Sequence, residues 1–192
     1  MAPGRSSNRR RRPPKPHDNT PPLRLDCARK RQPGNAVMSI REDIAMLRAV
    51  ELFAAADPAH LQVLVFAAPR IEAAAGDWLF REGQVDGAGW LLRSGAASAW
   101  QARRGEEEKV ANLGRGAFLG ELAMAARQPH HLSVKAETRL SALRFDHDLF
   151  LRVAAEFPEF GRQVFAVLTR RLELSMQELN RVRELFVRAR SF

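Results

Sequence analysis

The chain has 192 residues, with 31 Lys+Arg against 22 Asp+Glu and a formal net charge of +9. That length fits one domain with a tail, and 45% hydrophobic residues are enough to build a core. No apolar run is long enough to cross a bilayer. The single Cys27 excludes an intrachain disulfide framework and a multi-cysteine zinc site. No apolar h-region opens the chain, so a secretory signal is not expected and a reducing cytoplasm is the expected compartment.

Residues 1–37 hold ten basic side chains, two acids and seven of the eleven prolines, which concentrates +8 of the +9 there. Proline removes amide donors and like charges repel, so this stretch is expected to stay disordered. Arg9–Arg12 would contact nucleic acid or anionic lipid only non-specifically, in a salt-sensitive and sequence-blind way. Met38-Ser-Ile-Arg-Glu-Asp-Ile reads as a natural start, so 1–37 is either a solvated tail or an untranslated extension, and the folded domain is expected over 38–192.

Ser39–Ala55 carries a helical apolar stripe (Ile40, Ile44, Leu47, Val50, Leu52, Phe53), with Ser39 as N-cap and Glu42 at N3 as a capping box. Asp57-Pro58 predicts a second helix to about Phe66. From Pro69 short runs alternate between glycines: Arg70–Ala73, Trp78–Arg81, Gly89–Leu92, Ala96–Ala102, Lys109–Leu113, His131–Ala136 and Leu140–Phe145. No helix-length crossover separates them, so the expected fold is mainly β (α+β), an antiparallel, jelly-roll-like β-roll with flanking helices. Asp146 caps a further helix to about Glu156, and Pro158 opens a long one. Its Phe165, Leu168, Leu172, Ser175, Leu179, Val182 and Phe186 repeat at three and four, a heptad seam. The seam predicts a homodimer through this C-terminal helix; the alternative is folding back on the roll as ordinary core.

The most informative stretch is Gly120-Glu121-Leu122-Ala123-Met124, followed by Pro129-His130-His131-Leu132-Ser133-Val134. Gly120 permits a positive φ or close backbone approach, and a helical turn from Glu121 would aim free amides at an anion. The carboxylate of Glu121 suits a ligand hydroxyl; its other reading is a charge at a helix start. His130 and His131, adjacent in an expected strand, would face opposite ways, so a shared metal is not expected.

This segment resembles the phosphate-binding cassette of the cyclic nucleotide-binding domain, the sensor module of the catabolite activator protein and of cyclic-nucleotide-dependent kinases and channels. The family pattern is Gly-Glu-(Leu/Ile)-Ala-Leu, then Pro-Arg-Ala-Ala-(Thr/Ser)-Val. Gly76-Asp77-Trp78-Leu79-Phe80-Arg81-Glu82-Gly83 and Trp90-Leu91-Leu92-Arg93-Ser94-Gly95 resemble two of its strand-and-turn signatures, and the likeness runs in order from about Leu47 to Glu184. It implies a cyclic nucleotide such as cyclic AMP or GMP as ligand, with no other cofactor. It also implies a binding set of Gly120, Glu121, Leu122, Ala123, His130, His131 and Ser133, and a C-terminal helix over 158–189 that serves as lid and dimerisation element. Within this resemblance, Glu121 takes the ribose 2′-hydroxyl and the Leu122 and Ala123 amides, with Ser133, take the phosphate.

One position departs. Where the family places the arginine that pairs with the phosphate, this chain has His130, which lacks the permanent charge and the two-pronged donor fork. Loss of that pair predicts affinity lower by roughly 10- to 100-fold. Arg127 is the candidate substitute. Sequence motifs for catalysis are missing: there is no Gly-x-Ser-x-Gly elbow, Walker-type loop or clustered ligand set. The expectations are therefore a weakly binding sensor that relays through its C-terminal helix, or a degenerate docking module that no longer binds nucleotide. The chain stops at Phe192, too soon for the helix-turn-helix that many bacterial relatives carry, so operator reading by that route is not expected.

Overall fold

The computed structural model describes residues 33–103 and 105–189. Helix α1 (Pro33–Ala49) leads through a 3-10 turn (Glu51–Phe53) to α2 (Pro58–Ala67). Eight strands follow: β1 (Arg70–Ala73), β2 (Trp78–Phe80), β3 (Ala88–Ser94), β4 (Ala97–Arg103), β5 (Glu106–Leu113), β6 (Phe118–Leu119), β7 (Ser133–Ala136) and β8 (Leu140–Asp146). The short helix α3 (Glu121–Ala126) interrupts them between β6 and β7, and α4 (His147–Glu156) and α5 (Pro158–Ala189) close the chain.

The strands form two four-stranded antiparallel sheets, ordered β1-β8-β3-β6 and β2-β7-β4-β5. This is the β-roll with flanking helices that the alternating runs predict. Between the sheets lies one core, built on Leu79, Phe80, Trp90, Leu92, Val134 and Leu140. Leu91, Leu143 and Phe145 turn the other way and pack with Phe53, Leu61, Phe150, Phe160 and Val164 of the helices. The period of two along β3 and β8 thus serves two cores at once. Phe53 anchors the helical side, its ring edge-on to Phe118 at 5.1 Å.

Several boundaries differ from the sequence reading. Helix α1 begins at Pro33, so Ser39 lies within it and not at its cap; proline with its fixed φ is itself a favourable first helical residue. The remainder of the expected tail, 1–32, lies outside the described residues. The helix expected to reach Ala55 stops at Ala49, because the 3-10 turn carries Leu52 and Phe53, adjacent in sequence, both into the core. Asp57 caps α2 as expected, accepting the Ala59 N–H at 2.8 Å. Asp146 stands at the start of α4 without a side-chain capping bond, its carboxylate taken by Arg144. The strand expected from His131 begins at Ser133, and β6, only two residues long, carries no alternation to reveal it.

Helix α5 packs through Phe160 and Val164, with Val167 and Leu168 half-covered, and then leaves the domain: every residue from Leu172 to Arg181 is exposed. Leu172 is 62% and Leu179 69% exposed. The two end positions of the seam, Val182 and Phe186, fall outside the described side chains.

Candidate functional site

The cassette is set by Gly120. Its φ of 75° puts it in the left-handed region, and a β-carbon there would stand 2.5 Å from the Ala88 carbonyl oxygen and 2.9 Å from Cε1 of His130. Only glycine meets both demands. From this corner α3 starts at Glu121, with Met124 N–H bonding back to the Gly120 carbonyl at 2.9 Å. Among the described residues the N–H groups of Leu122 and Ala123 meet no acceptor, as the first turn of a helix leaves them. Leu122 is exposed and Ala123 buried. The helix ends at Arg127, itself at a φ of 50°, whose N–H turns back to the Ala123 carbonyl.

The two histidines part. His131 is exposed, whereas His130 is 4% exposed and built into the wall. Its ring stacks on Phe80 with centroids 3.9 Å apart, and its Nε2–H donates to Asp86 Oδ1 at 2.8 Å. Its backbone N–H donates to the Gln84 carbonyl and its own carbonyl accepts from Gly83 N–H, so the residue staples the β2–β3 loop to the cassette. Burial alone would push the Asp86 carboxyl up. The His130 hydrogen bond, the Ala88 N–H and the nearby His130 and Arg144 charges outweigh it and hold the carboxyl below its ordinary range. Ser133, also buried, accepts the Glu82 N–H on its Oγ at 2.9 Å. Arg127, the candidate substitute for the arginine, donates instead to Asp148 of α4 at 2.8 Å.

Glu121 is tied to the helices. Arg171 of α5 donates from Nη1 to Glu121 Oε1 at 3.0 Å and from Nη2 to Glu51 Oε2 at 2.9 Å. One guanidinium so joins the cassette, the C-terminal helix and the 3-10 turn. Burial would lower the Arg171 pKa, but the hydrogen bonds to Glu51 and Glu121 outweigh it and raise it.

Comparison with known proteins bears on the family and the fold. The profile of the family described as "Cyclic nucleotide-binding domain" matches residues 70–157. Residues 70–157 belong to the cyclic nucleotide-binding domain family. A cAMP-dependent protein kinase regulatory subunit of Emericella nidulans is 33% identical over 109 residues, 57% of this chain and 26% of the relative. The chain thus spans about a quarter of the length of that relative. The cyclic nucleotide-binding-like protein of Brucella abortus is 29% identical, with a TM-score of 0.55 over 59% of this chain and 98% of that one. The catabolite activator protein of Thermus thermophilus shares the fold at 23% identity, with a TM-score of 0.59 over 69% of this chain and 62% of that one. The family is regulatory and typically non-catalytic.

The sequence reading missed the groups that hold the cassette from outside it. Asp86 lies 44 residues from His130, and Arg171 lies 50 from Glu121. No local spacing signals either pair. The Trp90 indole N–H, inside the roll, is buried without an acceptor among the described residues. A cavity of about 250 Å³ opens behind the cassette, lined by Asp86, Arg127, Asp146, His147 and Arg152 among others. It touches none of the seven residues assigned from sequence. His147 closes one side by donating from Nδ1 to the Met124 carbonyl at 2.7 Å. Among the described residues no group of three or more His, Cys, Asp or Glu could hold a metal ion, and no helix is long and apolar enough to cross a membrane.

Proposed function

We propose that this chain is a cyclic-nucleotide-responsive regulatory module, without catalytic activity of its own, that binds a cyclic mononucleotide such as cyclic AMP or GMP and relays it through α5. The observation that carries the reading is the Gly120–Ala123 turn. A left-handed glycine leads into a helix start whose Leu122 and Ala123 amides are unpaired, beside a half-buried Glu121 carboxylate. Unpaired amides favour a phosphate and an ionised carboxylate favours a hydroxyl, which is the polarity of a ribose cyclic phosphate. In this reading Gly120 gives the ligand close approach, Ser133 supports the phosphate side, and His130 and His131 flank it. The exposed seam of α5 joins two such modules into a homodimer.

A second reading rests on His130. Its ring is committed to Phe80 and Asp86, and the roll interior beside it is packed with Phe80, Trp90 and Leu92. That arrangement favours a degenerate module that docks or dimerises without nucleotide.

Calorimetric titration with cyclic AMP and cyclic GMP separates the two. A saturable heat that falls about tenfold or more in affinity on Glu121→Ala supports the sensor. No heat at millimolar ligand refutes it. His130→Arg is then expected to raise affinity by roughly 10- to 100-fold if the rest of the site is intact; an unchanged silence identifies the degenerate module.

A further inference from the structure

We infer that Arg171 is a positioning residue of the nucleotide site: it holds the Glu121 carboxylate by one oxygen and leaves the other to accept the ribose hydroxyl. This rests on the nucleotide-binding reading above and adds to it a residue from outside the cassette.

The argument begins with the two oxygens. Glu121 Oε1 accepts from Arg171 Nη1 at 3.0 Å, while Oε2 has no partner among the described residues. A carboxylate offers about four lone-pair sites on its two oxygens, so one guanidinium nitrogen does not exhaust it. The Glu121 side chain is 28% exposed, open enough to meet a ligand and sheltered enough for the pair to be felt. A glutamate at a helix start has three torsions free; clamping one oxygen removes most of that freedom before ligand arrives. A carboxylate accepts a hydroxyl proton by a charge-assisted hydrogen bond, stronger than one between neutral groups.

Arg171 is itself fixed at its far nitrogen, where Glu51 accepts at 2.9 Å. The planar fork thus has one prong on the 3-10 turn and one on the cassette. Its place along α5 matters as much. It is the last half-covered residue before ten exposed ones, the point at which the helix leaves the domain. A ligand that orders Glu121 therefore strengthens the hold on α5 at its point of departure. By reciprocity, a partner that draws α5 away weakens the grip on the ribose.

The test is a calorimetric comparison on the full chain. Wild type, Arg171→Gln and Glu51→Gln are titrated with cyclic AMP and cyclic GMP and with their 2′-deoxy counterparts, and thermal unfolding shows that each variant is folded. Wild type is expected to prefer the ribose form by about tenfold. Arg171→Gln is expected to shrink that preference to about twofold or less, leaving the affinity for the 2′-deoxy form nearly unchanged. Glu51→Gln is expected to fall between them, and it carries the test if Arg171→Gln does not fold. A purely structural ion pair would lower both affinities together. An unchanged ribose preference overturns the assignment while leaving the nucleotide reading standing. So does a rise in cyclic AMP affinity on Arg171→Gln, which would make Arg171 a competitor for Glu121. Wild type that binds neither form overturns the nucleotide reading and the assignment with it.

Discussion

At Gly120 a backbone angle and a close contact coincide, and their costs can be separated. Gly116 also sits at a positive φ, 86°, but a β-carbon there would meet nothing within 4 Å. Gly116→Ala is therefore expected to cost only the left-handed penalty of about 1–2 kcal/mol. Gly120→Ala adds the clash with the Ala88 carbonyl and should cost visibly more in a urea melt, with His130 displaced from Phe80. The partner of that histidine gives a pH signature. The Asp86 carboxyl is held below its ordinary value in the folded chain, so its ionised form stabilises the fold above about pH 4. That contribution is lost as pH falls through the lowered folded value. Denaturation between pH 3 and pH 6 should show wild type losing stability toward the acid end more steeply than Asp86→Asn.

Among the elements, α5 shows how an amphipathic stripe can divide its work. Its first turns cover the helical core with Phe160 and Val164, and its later ones leave Leu172 and Leu179 in solvent. In the proposed dimer these exposed leucines are the contact. Leu172→Glu with Leu179→Glu should shift sedimentation from dimer to monomer and leave the melting of the roll unchanged, since neither side chain is covered within the chain. A single monomeric species for wild type would remove the basis for the dimer. The strands were legible where alternation ran for four residues or more, as in Arg70–Ala73, which the structure reproduces residue for residue. They were illegible where two residues pair only because a neighbour supplies the edge, as Phe118 and Leu119 do along Leu91 and Trp90. Within the cassette, Gly120 and Glu121 announce themselves through spacing. The groups that fasten it, Asp86 and Arg171, reach it by tertiary contact alone, and a single sequence holds no record of such pairings. The shift of α1 to Pro33 has the same origin: a capping box at Ser39 was locally sound but not needed once the helix continued upstream.

At the largest scale, a helical block joins a strand roll, and a buried ion pair crosses the joint. Asp43 of α1, 2% exposed, accepts from Arg93 of β3 at 2.6 Å. Asp43 accepts from no other side chain among the described residues, so Arg93→Ala strands its buried carboxylate and should lower the unfolding free energy by about 3–5 kcal/mol in chemical denaturation. An effect below about 1 kcal/mol would mean that this pair adds little to the joint. The pair sits at the end of the strand with the strictest demands in the fold. Trp90 and Leu92 of β3 feed the inside of the roll while Leu91, between them, feeds the helices. A one-residue insertion ahead of Trp90 would swap those destinations and spoil both interiors in a single event. The β4–β5 hairpin, whose outer strand is almost wholly in water, has no such double duty. Length variation among natural homologues should therefore gather at the hairpin tip near Gly105 and avoid β3, a pattern that any collection of such sequences can reveal.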